Sequence, residues 1–334
     1  MERIDSDLIA RFASAVDTLW PHDERSGPLG LAVSGGPDSL ALLLLAQSAM
    51  PGEIAAVSVD HGLRAEAASE VALVGALSEK LGIPFTAIRV TVGAGNVQAM
   101  ARDARYAALA HWAQENGIGA VATAHHADDQ AETLLMRLAR GSGLSGLAGV
   151  RAWSHLPETG IPLIRPLLWA RKSALEAAVA DCGVTPARDP SNANPAFDRV
   201  RVRQHLAEHD WLDPEALATS AQHLAEGWRA IEWYAEIDWE EMVSTDDRSG
   251  AGPAYVYYAN VPRIIQIETV RRIVAALGGQ VSRSEAGRAA DRLWRGQNAS
   301  LGGVLAVAKV EKVAKIGVEM RVWRFTPEPP RAVH

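Results

Sequence analysis

The chain has 334 residues, a net charge of −7 and a single cysteine, Cys182. This length allows two domains with substantial cores. One cysteine excludes a disulfide framework, a zinc site built from cysteines and an iron–sulfur cluster held by this chain alone. The negative charge argues against indiscriminate coating of nucleic acid, but it leaves room for a local basic surface. Residues 1–12 carry scattered charges and no apolar core, so we expect no secretory signal and a cytoplasmic protein.

Apolar runs alternate with helix-like segments along the first two-thirds of the chain. The pattern predicts strands over residues 30–34, 54–60, 85–92, 119–124 and 164–168, and helices over 37–48, 66–81, 96–116, 128–140, 170–182 and 197–209. This alternation is typical of an α/β fold with a doubly wound, Rossmann-like parallel sheet. In such sheets, ligands bind at the carboxyl ends of the strands.

A smaller region is predicted to begin at residue 213. Its pattern indicates helices over residues 215–242, 262–277 and 284–296, followed by alternating hairpin strands over 303–325. We therefore expect two domains, at 1–212 and 213–334. The second should be mostly helical and end in β-hairpin strands.

A glycine turn, SGGPDS, joins the first predicted strand to the first predicted helix. It offers two flexible glycines, a proline suited to the first helical turn, two hydroxyls and an acid. Its members are Ser34, Gly35, Gly36, Pro37, Asp38 and Ser39. Backbone N–H groups at the start of a helix bind anions, so the turn predicts a phosphate site rather than a plain strand-to-helix connection. The chain has no Gly-Lys pair, which disfavours a Walker loop and ordinary transfer of a terminal phosphate.

The sequence TAHHADDQAET at 123–133 follows the fourth predicted strand. On a helix that begins near Asp128, Asp129 and Glu132 share one face, and His125 lies just before it. One imidazole and two carboxylates at the mouth of a sheet can bind a cation, deprotonate an amine, or do both. Helix capping is the simpler interpretation of Asp128. Zinc is disfavoured because three nitrogen or sulfur ligands are not found among the obvious neighbours.

Arginines mark two further stretches. Arg102 and Arg105 lie on the predicted helix at 96–116, where arginines three residues apart are usually solvated. The other stretch surrounds a loop rich in Asn and Pro and contains Arg188, Arg199, Arg201 and Arg203. Such a density of arginine suits a polyanion.

Two shorter stretches are ambiguous. VDHGLR at 59–64 follows the second predicted strand, but His61 taken alone is better interpreted as a buried structural histidine. GSGLSG at 141–146 matches the Gly-x-Gly-x-x-Gly of dinucleotide sites, yet it follows a predicted helix rather than a strand. We therefore predict a loop there and disfavour an oxidoreductase.

In this order, the stretches resemble the N-type ATP pyrophosphatase (PP-loop) superfamily, and within it the tRNA(Ile)-lysidine synthetase family. SGGPDS alone indicates only the superfamily. The narrower resemblance adds VDHGLR, NVQAMARDARY at 96–106, TAHHADDQAET followed by RLARGSGLSGLAG, then RPLL, and finally DPSN with its arginines, over roughly residues 28–210. Gln98 departs from the acid common in the family, so the resemblance implies no charged role at this position. The resemblance implies an adenine nucleotide alpha hydrolase-like catalytic domain in a short-form enzyme with one appended tRNA-binding domain.

The resemblance also implies an activity. ATP would adenylate position 2 of the wobble cytidine in CAU-anticodon tRNA(Ile), and free L-lysine would then displace AMP to give lysidine. Mg²⁺ would help to neutralise the departing pyrophosphate. The implied ATP-binding residues are Val33, Ser34, Gly35, Gly36, Pro37, Asp38, Ser39 and Val59, with Asp38 also near Mg²⁺. The implied catalytic residues are Asp38, His125, Asp129 and Glu132, and the implied tRNA or phosphate contacts are Arg102, Arg105, Arg199, Arg201 and Arg203.

Other functions stay open on the residues alone. Two-thiocytidine synthases belong to the same superfamily, but they need several cysteines to handle sulfur, and this chain has one. Amidating relatives, such as the synthetases for GMP or NAD, need a source of ammonia. A non-catalytic nucleotide- or tRNA-binding module is a further alternative. A homodimer is also left open.

Overall fold

The computed structural model describes residues 4–60, 62, 67–90, 97–187, 198–246, 253–313 and 318–328. Two compact units divide between Ala225 and Glu226. The division falls inside one continuous helix, Pro214–Met242, so no linker marks it in the sequence. The domain boundary expected between residues 212 and 213 lies just before this helix, and we keep it as a proposal for where the second domain begins.

The first unit is built on a six-stranded sheet. Its strands are β1 (Leu29–Ala32), β2 (Ile54–Asp60), β3 (Phe85–Arg89), β4 (Ala120–Ala122), β5 (Trp153–His155) and β6 (Pro162–Ile164). Its helices are α1 (Ser6–Leu19), α2 (Pro37–Ala49), α3 (Ala67–Leu81), α4 (Val97–Glu115), α5 (Ala127–Ala139), α6 (Leu144–Leu147), α7 (Lys172–Asp181) and α8 (Asp198–Glu208), followed by the start of α9 (Pro214–Met242). The strand order is β3-β2-β1-β4-β6-β5, parallel except for the edge strand β5. The predicted doubly wound parallel sheet is therefore confirmed.

Most predicted elements of this unit are present with shifted ends, but three differences matter. The strand predicted at 164–168 ends at Ile164, because the residues that follow form a turn. Helix α1 and strand β5 were not predicted. The GSGLSG stretch follows α5, as expected. Its second half begins helix α6, in which the N–H groups of Gly146 and Leu147 donate to the carbonyl of Gly143, so the prediction of a loop is wrong there.

Helix α2 lies at the centre of the core of the first unit. Its run from Leu40 to Ala46 is buried on every side, because α2 packs on the sheet and also against α1 and α7. Each buried leucine there contributes about 1.5–3 kcal/mol to folding. This packing explains an apolar run without a polar face. Among the described residues, no helix is long and apolar enough to cross a membrane.

The order in which successive strands are added to the sheet reverses at β1. The chain passes from β1 to β2 on one side and later returns to β4 on the other side. The carboxyl ends of β1 and β4 therefore border a crevice, which is where open α/β sheets bind ligands. Gly30 in β1 lets α4 cover the sheet closely, since a Cβ at this position would lie 2.7 Å from the ring of Trp112.

The second unit packs two helices on an antiparallel sheet. The helices that follow α9 are α10 (Arg263–Ala276) and α11 (Arg283–Trp294). The strands are β7 (Val243–Thr245), β8 (Tyr255–Tyr258), β9 (Ala299–Leu301), β10 (Val304–Val313) and β11 (Val318–Pro327), in the order β7-β8-β11-β10-β9. Tyr257, Trp323 and Phe325 are fully buried in its core. The predicted helices and the hairpin β10–β11 are confirmed, whereas β7, β8 and β9 were not predicted.

Candidate functional site

A cavity of about 360 Å³ lies at the carboxyl ends of β1, β2 and β4. Residues from the stretches SGGPDS, VDHGLR and TAHHADDQAET line this cavity, together with two arginines. They include Val33, Ser34, Gly36, Asp38, Ser39, Val59, Asp60, Arg105, His125, Asp129 and Arg199. Because the carboxyl ends of parallel strands meet at one edge of the sheet, the fold brings these distant residues together.

The glycine turn after β1 is held by its own hydroxyls. The N–H of Ser34 donates to Ser39 Oγ over 3.1 Å, and Ser39 Oγ donates to the carbonyl of Gly36 over 3.0 Å. Gly35 has a φ of +85°, which side chains rarely adopt, and a Cβ there would lie 3.2 Å from the carbonyl oxygen of Glu70. The turn therefore requires glycine at position 35 for its own conformation.

Gly36 differs from Gly35, because the conformation of the turn does not require glycine at this position. It is the N-cap of α2 with an ordinary φ of −74°, and a Cβ there would meet only Ser34 Oγ, at 3.8 Å. The backbone of the protein therefore tolerates a side chain at this position. No side chain caps the first N–H groups of α2, and Pro37 occupies its first turn. The helix start is thus available to an anion, and a bare Gly36 lets that anion approach.

Asp38, in the first turn of α2, contributes a carboxylate to the cavity lining beside the glycine turn. Its Oδ1 is buried and makes no hydrogen bond within the described structure. Burial raises the pKa of Asp38, but contact with His126 and the nearby charges of Lys172 and Arg203 outweigh this effect and lower the pKa below its usual value. The carboxylate is therefore ionised at neutral pH and has one oxygen without a partner.

His126 is a site residue that sequence reasoning missed. It is 3% exposed, and its Nε2 lies 3.6 Å from Asp38 Oδ2 and 3.5 Å from Asp129 Oδ2. Its Nδ1 accepts from the N–H of Asp129, while Asp129 Oδ2 accepts from the N–H of His126, so the two cap α5 reciprocally. Burial lowers the pKa of His126, but Asp38, Asp129 and Asp128 outweigh burial and raise it. The position at the start of α5 is the signal that could have identified it.

Asp128 also caps a helix, but not the helix that contains it. Its Oδ2 accepts from the N–H of Lys172, the first residue of α7, over 2.8 Å, and its Oδ1 lies 3.4 Å from Arg171. The prediction that Asp128 caps its own helix is therefore wrong, because Asp128 binds the start of α7, while Asp129 and His126 cap α5. Capping does not exclude a second role for Asp129, because its Oδ1 faces away toward Arg199.

A carboxylate–arginine cluster joins α5 to α8. Arg199 donates from Nη2 to Asp129 Oδ1 over 2.6 Å and from Nε to Glu132 Oε2 over 2.5 Å. Arg203 donates from Nε to Glu132 Oε1 over 2.7 Å. The side chain of Glu132 is only 1% exposed, so these two guanidinium groups compensate an otherwise buried charge. Asp129 and Glu132 thus converge on a single cationic side chain, Arg199.

His125 faces a different environment. Its Nδ1 lies 3.0 Å from the hydroxyl of Thr123. Burial among surrounding protein atoms lowers its pKa to about 3, and the charges of Arg165, Arg105, Arg199 and Arg102 act in the same direction. His125 is therefore neutral at physiological pH, able to donate or accept a hydrogen bond without carrying charge.

The other predicted site residues are exposed, already have hydrogen-bond partners, or lie outside the described residues. Arg102 is exposed on α4, and Arg201 is exposed on α8, where it pairs with Asp198. Val33 donates its N–H to Val57 and accepts from the Ser58 hydroxyl, so its backbone already has partners in the sheet. His61, Arg188 and the loop at 188–197 lie outside the described residues, as does the side chain of Gln98.

A separate cluster could hold a metal ion, away from the cavity lining. His205, Glu208 and His209 lie at the exposed end of α8, and among the described residues this is the one group of three such side chains close enough to share an ion. The carboxylates that line the cavity, which include Asp38, Asp60 and Asp129, do not form such a group, and Glu132 next to Asp129 is engaged by Arg199 and Arg203. A preformed cage for an ion is therefore not a feature of the described part of the cavity.

Comparisons with known proteins agree with this fold. A family model described as a PP-loop domain matches residues 8–210. The U34-tRNA thiolase NcsA from Methanococcus maripaludis superposes with a TM-score of 0.54 at 16% identity, over 66% of this chain and 79% of that one. At this identity the likeness shows the fold alone. The chain is a PP-loop protein, and a PP-loop domain uses ATP.

Full-length relatives narrow the class. The tRNA(Ile)-lysidine synthase of Novosphingobium aromaticivorans is 44% identical over 95% of this chain and 94% of its own length. The tRNA(Ile)-lysidine synthase of Zymomonas mobilis is 41% identical over 92% and 90%, respectively. The chain belongs to the tRNA(Ile)-lysidine synthase family, as the order of its motifs predicts.

Proposed function

We propose that this protein ligates free L-lysine to position 2 of the wobble cytidine in CAU-anticodon tRNA(Ile), with conversion of ATP to AMP and pyrophosphate. Family membership supports the overall reaction. The observation that carries the assignment of the site is the convergence of Asp129 and Glu132 on one cation beside the glycine turn. A site of this kind suits an ammonium group next to a bound nucleotide.

ATP occupies the crevice with its phosphates on the glycine turn. The uncapped start of α2 and the bare Gly36 offer backbone N–H groups to the phosphates, and Ser34 and Ser39 add hydroxyls. Val33 and Val59 line the cavity where the adenine contacts the strand ends. The turn has no lysine to hold a terminal phosphate, so the bond between the α- and β-phosphates is the one that breaks.

Asp38 fits a magnesium ligand. Mg²⁺ prefers one or two carboxylate oxygens together with substrate phosphates, and Asp38 Oδ1 is a buried acceptor without a partner among the described residues. The lowered pKa of Asp38 keeps the oxygen ionised. When bound, the ion would supply positive charge to the leaving pyrophosphate. His126 fixes the orientation of Asp38 from the opposite side.

Adenylation prepares the cytidine for attack. The oxygen at position 2 of the base attacks the α-phosphorus, and the bond to the β-phosphate oxygen breaks, so pyrophosphate leaves. A carbonyl oxygen is a very poor leaving group, and its attachment to AMP makes it a good one. His125, neutral at the wall of the cavity, contacts the activated base without adding a charge that would oppose the phosphates.

Lysine then replaces AMP. The ammonium group lies between Asp129 and Glu132, in the position that the Arg199 guanidinium occupies in the structure. One carboxylate accepts a proton, so the nitrogen lone pair can attack C2, and the electron pair of the breaking C2–O bond leaves with AMP. Asp129 is the better acceptor, because Glu132 is held by Arg203 as well.

The arginines complete the tRNA site. Arg102 and Arg201 are exposed, and Arg105 and Arg199 line the cavity, so all four can reach an RNA backbone. Arg203 is bound to Glu132, and its contact with RNA would be made by the nitrogen atoms that Glu132 leaves free. A tRNA and ATP together are cytoplasmic ligands, so we place the protein in the cytoplasm. We also propose a homodimer, which light scattering tests.

Lysine incorporation is the direct test of this function. Purified protein is mixed with ATP, Mg²⁺, radiolabelled lysine and unmodified CAU-anticodon tRNA(Ile), and lysine in RNA, AMP and pyrophosphate are measured together. We expect the three products in equal amounts, with no AMP formed when the tRNA is left out. A tRNA whose wobble cytidine is replaced by uridine is the matched control, since uridine should accept no lysine. Production of ADP and inorganic phosphate in place of AMP would overturn the proposal.

A further inference from the structure

An arginine cluster lies near His125, and one of its members, Arg105, lines the cavity itself. We define it as Arg102, Arg105, Arg137, Arg151 and Arg165, which come from α4, α5, the segment before β5 and the residue after β6. The ion pairs nearest the cavity are made by other arginines, Arg199 and Arg203. No carboxylate in the described part of the chain pairs with any member of the cluster. This local excess of positive charge occurs in a chain with a net charge of −7.

Arg165 is the most buried member of this cluster. It is 6% exposed, and its Nη1 donates to the carbonyl of Arg151 over 2.6 Å and lies 3.2 Å from the hydroxyl of Ser154. Its Nε has no hydrogen-bond partner in the described structure. A buried guanidinium without a counter-charge is costly, and two neutral oxygens compensate it only in part.

Tyr106 lies beside this guanidinium with a second unsatisfied group. It is 7% exposed, and its hydroxyl oxygen is close enough to the Arg165 guanidinium to interact with it, but the hydroxyl proton has no acceptor among the described groups. The guanidinium carbons of Arg102 and Arg105 lie 5.2 and 5.3 Å from its ring. Burial raises the pKa of Tyr106, but the charges of Arg165, Arg105 and Arg102 outweigh burial and lower it. A phenol in such a field is a strong hydrogen-bond donor.

The unsatisfied groups share one requirement, which is a negatively charged oxygen acceptor. Burial, with opposing charge from Arg102 and Arg105, lowers the pKa of Arg165, although Tyr106 acts the other way. A bound anion would relieve this repulsion. A phosphate offers several acceptor oxygens, and a guanidinium and a phenol can donate to them together. Because Arg105 and His125 both line the cavity, the anion would lie next to whatever base enters it.

We propose that Arg165 and Tyr106, with Arg102 and Arg105 at the entrance, bind a phosphodiester of the RNA chain adjacent to the nucleotide that enters the cavity. This inference rests on the proposed function, which supplies an RNA substrate. It assigns a ligand to two buried polar groups whose hydrogen bonds are incomplete within the described structure. It also explains why α4 and β6 contribute positive charge beside a neutral histidine.

The test uses an RNA hairpin that carries the CAU anticodon loop, with one loop phosphate at a time replaced by an uncharged methylphosphonate. Binding to the full chain is measured by fluorescence anisotropy without ATP or lysine. For the unaltered protein, we expect one position next to the wobble cytidine to lose about ten- to a hundred-fold in affinity, and the other positions much less. In Tyr106→Phe, which removes only the hydroxyl, the unmodified hairpin should bind more weakly and the penalty at that position should shrink.

Arg165→Lys provides a second variant, since it keeps the charge and loses the fork of donors. Its penalty at the same position should also shrink. Tyr234→Phe, at an exposed tyrosine of the second unit, is the matched control and should bind like the unaltered protein. If the penalty is the same in Tyr106→Phe, Arg165→Lys and the unaltered protein, the proposal is overturned. Should Arg165→Lys fail to fold, the outcome for Tyr106→Phe decides alone.

ATP is the other source of phosphate in this reaction, and a separate titration distinguishes it. We expect Tyr106→Phe to change the dissociation constant of ATP by less than about two-fold. An ATP affinity reduced as much as the RNA affinity would assign the cluster to the nucleotide and overturn the proposal. Because binding is measured without lysine, the result can be interpreted even if lysine ligation fails. If ligation proceeds but no loop phosphate shows a specific loss of affinity, the phosphate-binding role of the arginine cluster is refuted and the proposed function stands.

Discussion

His125 and His126 are adjacent in the chain, yet they face opposite electrostatic environments. His125 lies against the arginine cluster, where burial and positive charge lower its pKa to about 3. His126 lies among Asp38, Asp128 and Asp129, which raise its pKa despite burial. The cavity thus has a positive wall and a negative wall that meet at the end of β4. We propose that the two walls serve different ligands, an RNA phosphate on the positive side and the lysine amine on the negative side.

Removing a carboxylate from the negative wall should reduce the activity more than a substitution in the glycine turn or on α8. Asp129→Asn keeps an oxygen that can cap α5, so the fold should survive. It loses the carboxylate that holds the ammonium and accepts its proton, so we expect lysine ligation to fall by about 10²- to 10⁴-fold. Adenylation, measured as pyrophosphate release in a single turnover, should fall much less. Asp198→Asn, at an exposed carboxylate on α8, is the control. Ligation by Asp129→Asn at the unaltered rate would refute the role of this wall.

The next effect concerns the glycine turn between the two walls. Gly36→Ala places a Cβ 3.8 Å from Ser34 Oγ on a backbone that alanine can adopt, so the melting temperature should change little. The Cβ would occupy the approach to the helix start, and we expect the dissociation constant of ATP to rise at least about ten-fold. Gly35→Ala is the contrasting variant, because its φ of +85° and the Glu70 carbonyl make the turn itself unstable. Unchanged ATP binding in Gly36→Ala would place the phosphates elsewhere.

The two histidines should also give opposite pH dependences of stability. His125 has a folded pKa of about 3, below its unfolded value of 6.5, so the native state binds fewer protons and its stability falls as pH decreases from 6.5 toward 3. His126 has a raised folded pKa, so its stabilising contribution is present below 6.5 and is lost as pH rises through the folded value. Each effect has a slope of at most about 1.4 kcal/mol per pH unit.

Chemical denaturation in magnesium-free buffer at several pH values measures these slopes. His125→Gln should flatten the decline in unfolding free energy below pH 6.5, and His126→Gln should flatten the decline above it. His22→Gln, in the short helical turn that follows α1, is the control and should leave both slopes in place. Equal effects of the two cavity substitutions on both limbs would contradict the division of the cavity into two walls.

How much of the site can be predicted from the sequence depends on how far apart in the chain the interacting residues are. The glycine turn and the acids after β4 were predictable, because each lies at the end of a strand and parallel strands bring such ends together. The contrast between the pKa values of His125 and His126 was not predictable, because it depends on the burial of His125 and on the charge of Arg165, which is remote in the chain and lies after β6. The pairing of Glu132 with Arg199 and Arg203 could not be predicted either, since the partners are 67 and 71 residues apart in the chain.

The fold shows the same limit. Strands β1–β4 and the helices between them follow from local periodicity, whereas the edge strand β5 has three residues and pairs only with β6. Helix α1 contributes Phe12 and Val16 to the core, although its sequence was considered only as a candidate signal segment. Short edge elements and roles that depend on distant charges therefore require the structure.

The smallest expected effect lies on α8, outside both walls. Arg201 is exposed and pairs with Asp198, so its loss should not disturb the cavity. If Arg201 contacts an RNA phosphate, Arg201→Ala should weaken tRNA binding a few-fold and flatten the slope of log affinity against log salt by about one unit. Arg140→Ala is a closely matched control, because Arg140 is equally exposed and pairs with the same Asp198. A slope that is unchanged in Arg201→Ala, or changed equally in both variants, would remove Arg201 from the RNA site and leave the positive wall as its principal phosphate contact.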